Sequence, residues 1–534
     1  MNVLSVEALS VRIGAAEILR HVSLTVAPGE IVALTGESGS GKSMTALAAM
    51  GLLPRAAEAS GEIRVGGAQV LHRPEAALCR MRGAEMGMVF QEPMTALNPV
   101  QTIGRQVSET VRLHKGASSA QAKELARAAL DRVGLTEIPL DRYPHELSGG
   151  QRQRVVIAMA TVLRPKLLIA DEPTTALDVT TQARILDLLR RLARDEGMGL
   201  LLITHDLAVV HGIADRLAVM KAGEIVEAGP TADVFAARTH PYTAALFAAS
   251  GHRASLTSRA ADAPLLSVDG LDQSYALPRT SLFGARPRFP ALKGVSLEIR
   301  AGERVGLVGE SGSGKSTLTR AILGLETPDR GEIRLGGAAI VPGATLAETR
   351  ADMQVVFQDP YGSFNPRHRV ERLVAEPFHL MADPPRGAAR QQAVADALEA
   401  VGLKPEDARR YIHAFSGGQR QRIAIARALI TRPKFIIFDE AVSALDVRVR
   451  AQILDLIARL SDEYGLAYLF ISHDLSVVRG ITTRVLVLRR GEIVEEGPTE
   501  EVMGAPRHPY TQELIAAAPR LPEDRARTEE SHAT

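Results

Sequence analysis

The segment Gly36–Ser43 reads GESGSGKS, and Gly309–Ser316 repeats the same eight residues. SGGQRQR occurs at Ser148–Arg154 and again at Ser416–Arg422. Phe90-Gln91 is matched by Phe357-Gln358, Asp171-Glu172 by Asp439-Glu440, and His205-Asp206 by His473-Asp474. His240-Pro241-Tyr242-Thr243 returns as His508-Pro509-Tyr510-Thr511. From SGGQRQR onward (Phe-Gln, upstream, recurs 267 residues on), matching positions lie 268 residues apart, and the order never changes. A period of that length is a duplicated domain, not a solenoid of short units. With 534 residues, each copy has enough chain for its own core. The first copy spans 1–250, a small polar linker fills 251–263, and the second copy spans 264–517. Residues 518–534 form a charged polar tail with no aromatic side chain, a composition that predicts disorder. Residues 276–290 have no counterpart in the first copy, and their Pro and Gly content predicts a surface loop.

Each glycine-rich octapeptide follows an apolar run, Ile31–Leu34 or Val305–Val308, and precedes a helical pattern, Met44–Met50 or Thr317–Leu323. Strand, loop and helix in that order make a phosphate-binding loop. The backbone N–H groups of Gly36, Glu37, Ser38, Gly39, Ser40 and Gly41, and of Gly309, Glu310, Ser311, Gly312, Ser313 and Gly314, are expected to cradle phosphate oxygens. Lys42 and Lys315 supply positive charge for the β- and γ-phosphates. Ser43 and Ser316 are candidate Mg²⁺ ligands, and Thr317 follows on the helix of the second loop.

Further on, Leu167–Ala170 and Phe435–Phe438 are unbroken apolar runs, as expected of parallel strands buried on both faces. Each ends in Asp-Glu, and the carboxyl ends of such strands line the ligand crevice. Asp171 and Asp439 are expected to hold Mg²⁺, and Glu172 and Glu440 to polarise an attacking water. A third run, Leu200–Ile203 or Leu469–Ile471, leads into His205 or His473, which are expected to contact the γ-phosphate.

Composition narrows the possibilities. The 63 basic and 62 acidic residues nearly cancel, which gives no footprint for nucleic acid or for an anionic membrane surface. Cys79 is the only cysteine, so an internal disulfide and a cysteine-built metal site are both excluded. No apolar run reaches the length of a membrane helix, and MNVLSVEALSVRIG does not read as a secretory signal. The expected compartment is the cytoplasm.

Taken together, these motifs resemble the ABC transporter ATPase family, over 1–250 and 264–517. Ser148-Gly149-Gly150-Gln151 and Ser416-Gly417-Gly418-Gln419 are similar to its signature sequence, which is far more specific than a phosphate loop alone. The resemblance implies an α/β fold in each copy. It comprises a mainly parallel core sheet with helices, an antiparallel β subdomain and a helical signature subdomain. It implies two composite ATP sites, each pairing the phosphate loop of one copy with the signature of the other. Gln91 and Gln358 correspond to glutamines that sense the γ-phosphate and reach the metal, and Asp178 and Asp446 to aspartates at the seam. The cofactors implied are ATP and Mg²⁺. The partners implied are two integral-membrane permease subunits and, indirectly, a substrate-binding protein, so the protein would lie at the cytoplasmic face of the inner membrane.

FQEPMTALNP at Phe90–Pro99, FQDPYGSFNP at Phe357–Pro366 and the two His-Pro-Tyr-Thr elements resemble the di- and oligopeptide importer subfamily. The resemblance implies ATP-driven uptake of peptides or peptide-like compounds. Many members carry a cysteine cluster in the C-terminal extension, which this chain lacks. The fused form without it is most similar to Yej-type oligopeptide and microcin C importer ATPases, followed by fused glutathione-importer ATPases. A tandem translation factor would have a long charged linker, and an excision-repair ATPase would have zinc-binding cysteines. A fused sugar-importer ATPase usually has one degenerate site, and a binding-only module would not keep both Glu172 and Glu440.

The family stacks adenine on an aromatic near the start of each domain, and Tyr275 fills that position in the second copy. Ile13 is its match in the first copy, where no Phe, Tyr or Trp precedes Phe90. Stacking on an aromatic is worth about 1–3 kcal/mol by truncation, and an isoleucine keeps part of that contact. Ile13→Tyr is therefore expected to tighten nucleotide binding at the first site by the lower half of this range, and Tyr275→Ala to weaken the second. Site-resolved binding measurements check this. Equal affinities that Ile13→Tyr leaves unchanged would mean that isoleucine packs against the base as well as tyrosine does.

Overall fold

The structure is a computed structural model that describes residues 2–91, 93–175, 177–256, 263–277, 286–359 and 362–521. The chain divides into two compact units, Met1–Ser250 with Pro519–Thr534, and Gly251–Ala518. The first unit contains β1 (Leu4–Ile13), β2 (Ala16–Val26), β3 (Ile31–Thr35), β4 (Ala57–Val65), β5 (Ala68–Gln69), β6 (Met86–Val89), β7 (Leu167–Asp171), β8 (Gly199–Ile203), β9 (Arg216–Lys221) and β10 (Glu224–Pro230). The second contains β11 (Pro264–Ala276), β12 (Arg288–Arg300), β13 (Arg304–Val308), β14 (Arg330–Leu335), β15 (Ala338–Ala339), β16 (Met353–Val356), β17 (Phe435–Asp439), β18 (Ala467–Ile471), β19 (Arg484–Arg489) and β20 (Glu492–Pro498).

The core sheet of the first unit has the order β10-β9-β3-β8-β7-β6, parallel except for the β9–β10 hairpin. The second repeats it as β20-β19-β13-β18-β17-β16. The apolar runs are unbroken because both faces of this sheet are covered. In β7, Leu167 and Ile169 join the core beneath the antiparallel sheet β2-β1-β4-β5, while Leu168 and Ala170 join the core beneath the helices. In β8, Leu201 and Ile203 face the first core, and Leu200 and Leu202 the second.

Helices Ile103–Lys115, Ser119–Arg132 and Gly149–Thr161 pack on one another as the helical arm of the first unit. The second unit departs from this plan. Its matching first helix stops after Val370–Val374 and gives way to a 3-10 turn over Glu376–Leu380. Pro377 lies in that turn and supplies no N–H to continue a helix.

The strands expected from sequence are all present, but the helices after the phosphate loops begin two residues earlier, at Lys42 and Lys315. The cause is glycine: Gly41 (φ +105°) and Gly314 (φ +114°) turn the chain so that the lysine is already helical. The segment 276–290 is not all loop, since Ala276 pairs with Arg288 and Tyr275 with Phe289, extending the β11–β12 ladder; residues 278–285 lie outside the described residues. In the segment read as a linker, His252 bonds Asp455 at 2.6 Å and the Ala254 N–H donates to Gly480 O at 3.1 Å, so its beginning is docked on the second unit. Residues 257–262 of that segment and 522–534 of the tail lie outside the described residues. No helix among the described residues is long and apolar enough to cross a membrane. Cys79 is exposed.

A Cβ on Gly36 would lie 2.1 Å from Met220 O of β9, and one on Gly309 2.2 Å from Leu488 O of β19. Backbone cannot yield at that distance without disturbing the sheet. Gly36→Ala is expected to destabilise the first unit by about 2–4 kcal/mol, read by urea denaturation. Gly212→Ala, where no atom lies within 4 Å, serves as the neutral control.

Candidate active sites

The phosphate loop bridges β3 and the helix Lys42–Ala49. Lys42 is buried, and its Nζ donates to Gly36 O and Glu37 O, both at 2.8 Å. Lys315 repeats this with Gly309 O at 2.6 Å and Glu310 O at 2.9 Å. In both copies the ammonium is thus held at the mouth of the loop by carbonyl oxygens, where phosphate oxygens could take their share of its donors. Neither helix has a side-chain cap on its first turn. The hydroxyls of Ser40 and Ser313 are buried without a hydrogen-bond partner. Uncapped N–H groups, an orphaned hydroxyl and a lysine converging on one loop fit an anion. A methyl added at Gly39 or Gly312 would meet no atom within 4 Å, so the loop tip is open.

Asp171 ends β7, and burial raises its pKa above the usual carboxylate range, although a hydrogen bond from Ser43 opposes this. Its Oδ1 is buried and without a partner. Asp439 is likewise raised, by burial first and then by Glu440. A desolvated carboxylate with an unpaired oxygen beside a serine hydroxyl suits a hard divalent cation, so the donors present fit Mg²⁺.

The next residue behaves in the opposite way. Burial alone would raise Glu172, but His205, Thr175 and Lys42 outweigh it and hold the carboxyl at about 2. His205 Nδ1 lies 3.2 Å from Oε1, while Thr175 Oγ1 at 3.0 Å and Gln91 Nε2 at 2.9 Å donate to Oε2. Glu440 is also lowered against its burial, chiefly by His473, whose Nδ1 lies 3.5 Å away. Ser443 stands where Thr175 does, but its hydroxyl donates to the Glu440 backbone carbonyl instead. Both glutamates have left-handed backbones, φ +47° and +50°, with the amide tied to the end of the neighbouring strand at Ile203 O and Ile471 O. That strained turn directs the side chain off the strand end toward the histidine, and nothing in the sequence foretells it.

Other expected residues have local duties. Ser148 and Gln151 form a reciprocal cap on the helix Gly149–Thr161, and Ser416 and Gln419 do so on Gly417–Leu429. Gly150 and Gly418 are required by close packing, since a Cβ would meet Thr181 Cγ2 at 2.2 Å or Val449 Cγ1 at 2.4 Å, whereas one on exposed Gly149 would make ordinary contact with Leu177 Cδ2 at 3.7 Å and one on exposed Gly417 would meet no atom within 4 Å. Among the described residues, no hydrogen bond joins Ser148–Gln151 to the phosphate-loop cluster of the same unit. Asp178 and Asp446 cap the helices Val179–Glu196 and Val447–Tyr464. Gln358 is exposed. Glu92, Pro360 and Tyr361 of the glutamine segments lie outside the described residues. Tyr275 donates to Glu326 and lies 3.3 Å from Thr317 Oγ1. Met44 and Leu53 are the first-copy matches of Thr317 and Glu326, and both pack on the apolar core.

The His-Pro-Tyr elements hold the contact that sequence reading missed. Tyr242 Oη accepts the Glu37 N–H at 3.0 Å, and Tyr510 Oη accepts the Glu310 N–H at 2.9 Å, so these two N–H groups, expected in the phosphate cradle, are taken by tyrosine instead. Glu227 fixes the turn by accepting from the Thr239 and His240 N–H groups, and Glu495 from those of Arg507 and His508. His240 and His508 Nδ1 then accept the tyrosine N–H at 3.1 Å. The available signal was the recurrence of EIVE at Glu224–Glu227 and Glu492–Glu495, 268 residues apart like the motif itself.

The ABC transporter family model matches residues 19–175 and 292–443. The chain belongs to the ABC transporter ATPases. A second model, the oligopeptide/dipeptide transporter C-terminal region, matches 226–255 and 494–533, so this ATPase is of the oligopeptide/dipeptide importer type. It is 48% identical to the glutathione import ATP-binding protein GsiA of Salmonella paratyphi A, over 94% of this chain and 86% of that protein. It is 47% identical to the peptidoglycan transport ATP-binding protein YejF of Agrobacterium fabrum, over 93% and 92%. Among solved structures it is similar to a dimeric post-hydrolysis state of the ATP-binding cassette MJ0796 bound to ADP and Pi, with 29% identity and a TM-score of 0.40, over 44% of this chain and 98% of that one. By family, the two cassettes are ATP-binding, ATP-hydrolysing domains of the ABC type.

A carboxyl lowered by folding stabilises the native state above its unfolded pKa and loses that contribution as pH falls toward its folded value. For Glu172 the window runs from the ordinary glutamate range down to about 2. The advantage of wild type over Glu172→Gln is expected to shrink across this window, by up to about 3 kcal/mol. Denaturant titrations at pH 7, 4 and 3 measure it; parallel pH curves for the two proteins would contradict the lowered carboxyl.

Proposed function

We propose that this ATPase is the energy-coupling subunit of an importer for peptides or peptide-like compounds, working with two membrane permease subunits and, through them, a substrate-binding protein. On this reading it sits at the cytoplasmic face of the membrane. The observation that carries the proposal is the oligopeptide/dipeptide transporter region in both halves, each with its tyrosine on a phosphate loop. The relatives' names, glutathione import and peptidoglycan transport, both concern peptide-bearing molecules and support that substrate class.

In the proposed chemistry, Gly36–Ser43 and Gly309–Ser316 bind the phosphates, and Lys42 and Lys315 neutralise them. Asp171 with Ser43 and Gln91, and Asp439 with Ser316 and Gln358, would hold Mg²⁺, which when bound lowers the charge on the β- and γ-oxygens. Glu172 and Glu440 face the water. The Glu172 carboxyl, held at about 2, and the Glu440 carboxyl, also lowered, orient and polarise that water rather than storing its proton. Oε2 of Glu172 accepts from both Gln91 and Thr175, whereas among the described residues Oε1 has only His205, which leaves Oε1 an acceptor site for a water O–H. His205 and His473 steady the carboxylates and contact the γ-phosphate, and the signature residues of Ser148–Gln151 and Ser416–Gln419 add further nucleotide contacts.

Glu172→Gln and Glu440→Gln keep side-chain shape but remove the charge. Each is expected to lower ATP turnover by about 10²-fold or more, read by phosphate release. Cells carrying either variant are expected to lose uptake of short peptides, glutathione included. Unchanged peptide uptake on gene deletion, with loss of export of a drug or lipid instead, would overturn the import proposal.

A further inference from the structure

The mechanism above leaves the His-Pro-Tyr elements with no task, although the structure ties both to the phosphate loops across about two hundred residues of chain. We propose that Tyr242 and Tyr510 are positioning residues for nucleotide binding: each hydroxyl pins the second residue of a phosphate loop and so keeps the loop in its phosphate-accepting shape. The proposal rests on reading Gly36–Ser43 and Gly309–Ser316 as the phosphate loops.

The geometry gives each letter of the motif a part. Histidine receives the tyrosine N–H and starts the following helix, and proline occupies the first helical position, where a missing N–H costs nothing. Tyrosine, buried at 4% and 2% exposure, then faces the loop. Its ring is fixed from the other side by a cation of the core sheet, Lys221 Nζ at 5.1 Å from the Tyr242 centroid and Arg489 at 4.6 Å from that of Tyr510. With both the turn and the ring held, the hydroxyl has a set position.

What it holds is the hinge of the loop. Glu37 and Glu310 use the backbone carbonyl to accept from the loop lysine, and the backbone N–H to donate to tyrosine. Lysine donors that turn toward phosphate are withdrawn from those carbonyls. The tyrosine hydroxyl does not compete for phosphate and keeps its hold through binding. A loop ordered beforehand spares the nucleotide the entropy of ordering it. The arrangement occurs twice in one chain with the same atoms, while other contacts of the two sites, such as those of Thr175 and Ser443, have diverged.

The test uses the full chain with Tyr242→Phe, Tyr510→Phe and the double variant, which remove one oxygen each and keep the ring. The expected result is a rise in KM for MgATP of about 2- to 10-fold per affected site, the scale of one neutral hydrogen bond, with kcat within twofold of wild type. The unfolding temperature without nucleotide is expected to stay within about 2 °C. Tyr468→Phe, which removes a buried hydroxyl bonded to Ile481 O away from the loop, is the control and is expected to leave KM unchanged. An unchanged KM in the double variant overturns the proposal, and so does a KM that rises only in step with a fall in unfolding temperature, as for a merely structural tyrosine. Lys42→Ala and Lys315→Ala, assayed by nucleotide binding, separate the two levels. If they bind as wild type, the phosphate-loop reading fails; if they lose binding while the tyrosine variants match wild type, only the positioning role fails.

Discussion

Each nucleotide site is built around a place where two backbones come closer than any side chain permits. Gly36 lies against Met220 O and Gly309 against Leu488 O, so the phosphate loop is wedged onto the last parallel strand of its sheet. The wedge is extended by the Gly223 N–H donating to Ser40 O and the Gly491 N–H to Ser313 O. The β9–β10 and β19–β20 hairpins therefore form the floor of the loop. They also begin the chain segment that returns as the His-Pro-Tyr turn, through Glu227 and Glu495. Core sheet, loop and extension are one mechanical unit in each half.

Upon that frame the two carboxylates at the strand end are separated electrostatically. Asp171 is buried with an unpaired oxygen and is raised; Glu172, one residue on, has three hydrogen-bonding neighbours and is lowered. Adjacent acids in similar burial are thus shifted in opposite directions by their partners. The second unit keeps the same signs with fewer contacts, because Ser443 bonds the backbone where Thr175 bonds the carboxylate.

Much of this was legible in the sequence because it depends on short-range pattern. The octapeptides, the apolar runs of β7 and β17 and the terminal Asp-Glu pairs place a phosphate loop and two acids at one sheet edge before any coordinate is known. Less legible was whatever depends on distant backbone. The left-handed turns at Glu172 and Glu440 arise from ties to Ile203 O and Ile471 O on neighbouring strands. The bond from Glu37 to Tyr242 spans most of a domain. The helix break at Pro377 was open to reading, since proline supplies no N–H to continue a helix.

The backbone of Glu172 and Glu440 has a consequence for how such a chain can change. A left-handed conformation suits glycine or asparagine and strains a glutamate. Glycine there would relax the turn but would also forfeit the contacts that hold the carboxylate charged, so backbone strain and side-chain ties oppose each other at one residue. The same replacement discards the group that the proposed chemistry assigns to the attacking water. Each half therefore carries one position where the most relaxed backbone and the anchored carboxylate exclude each other.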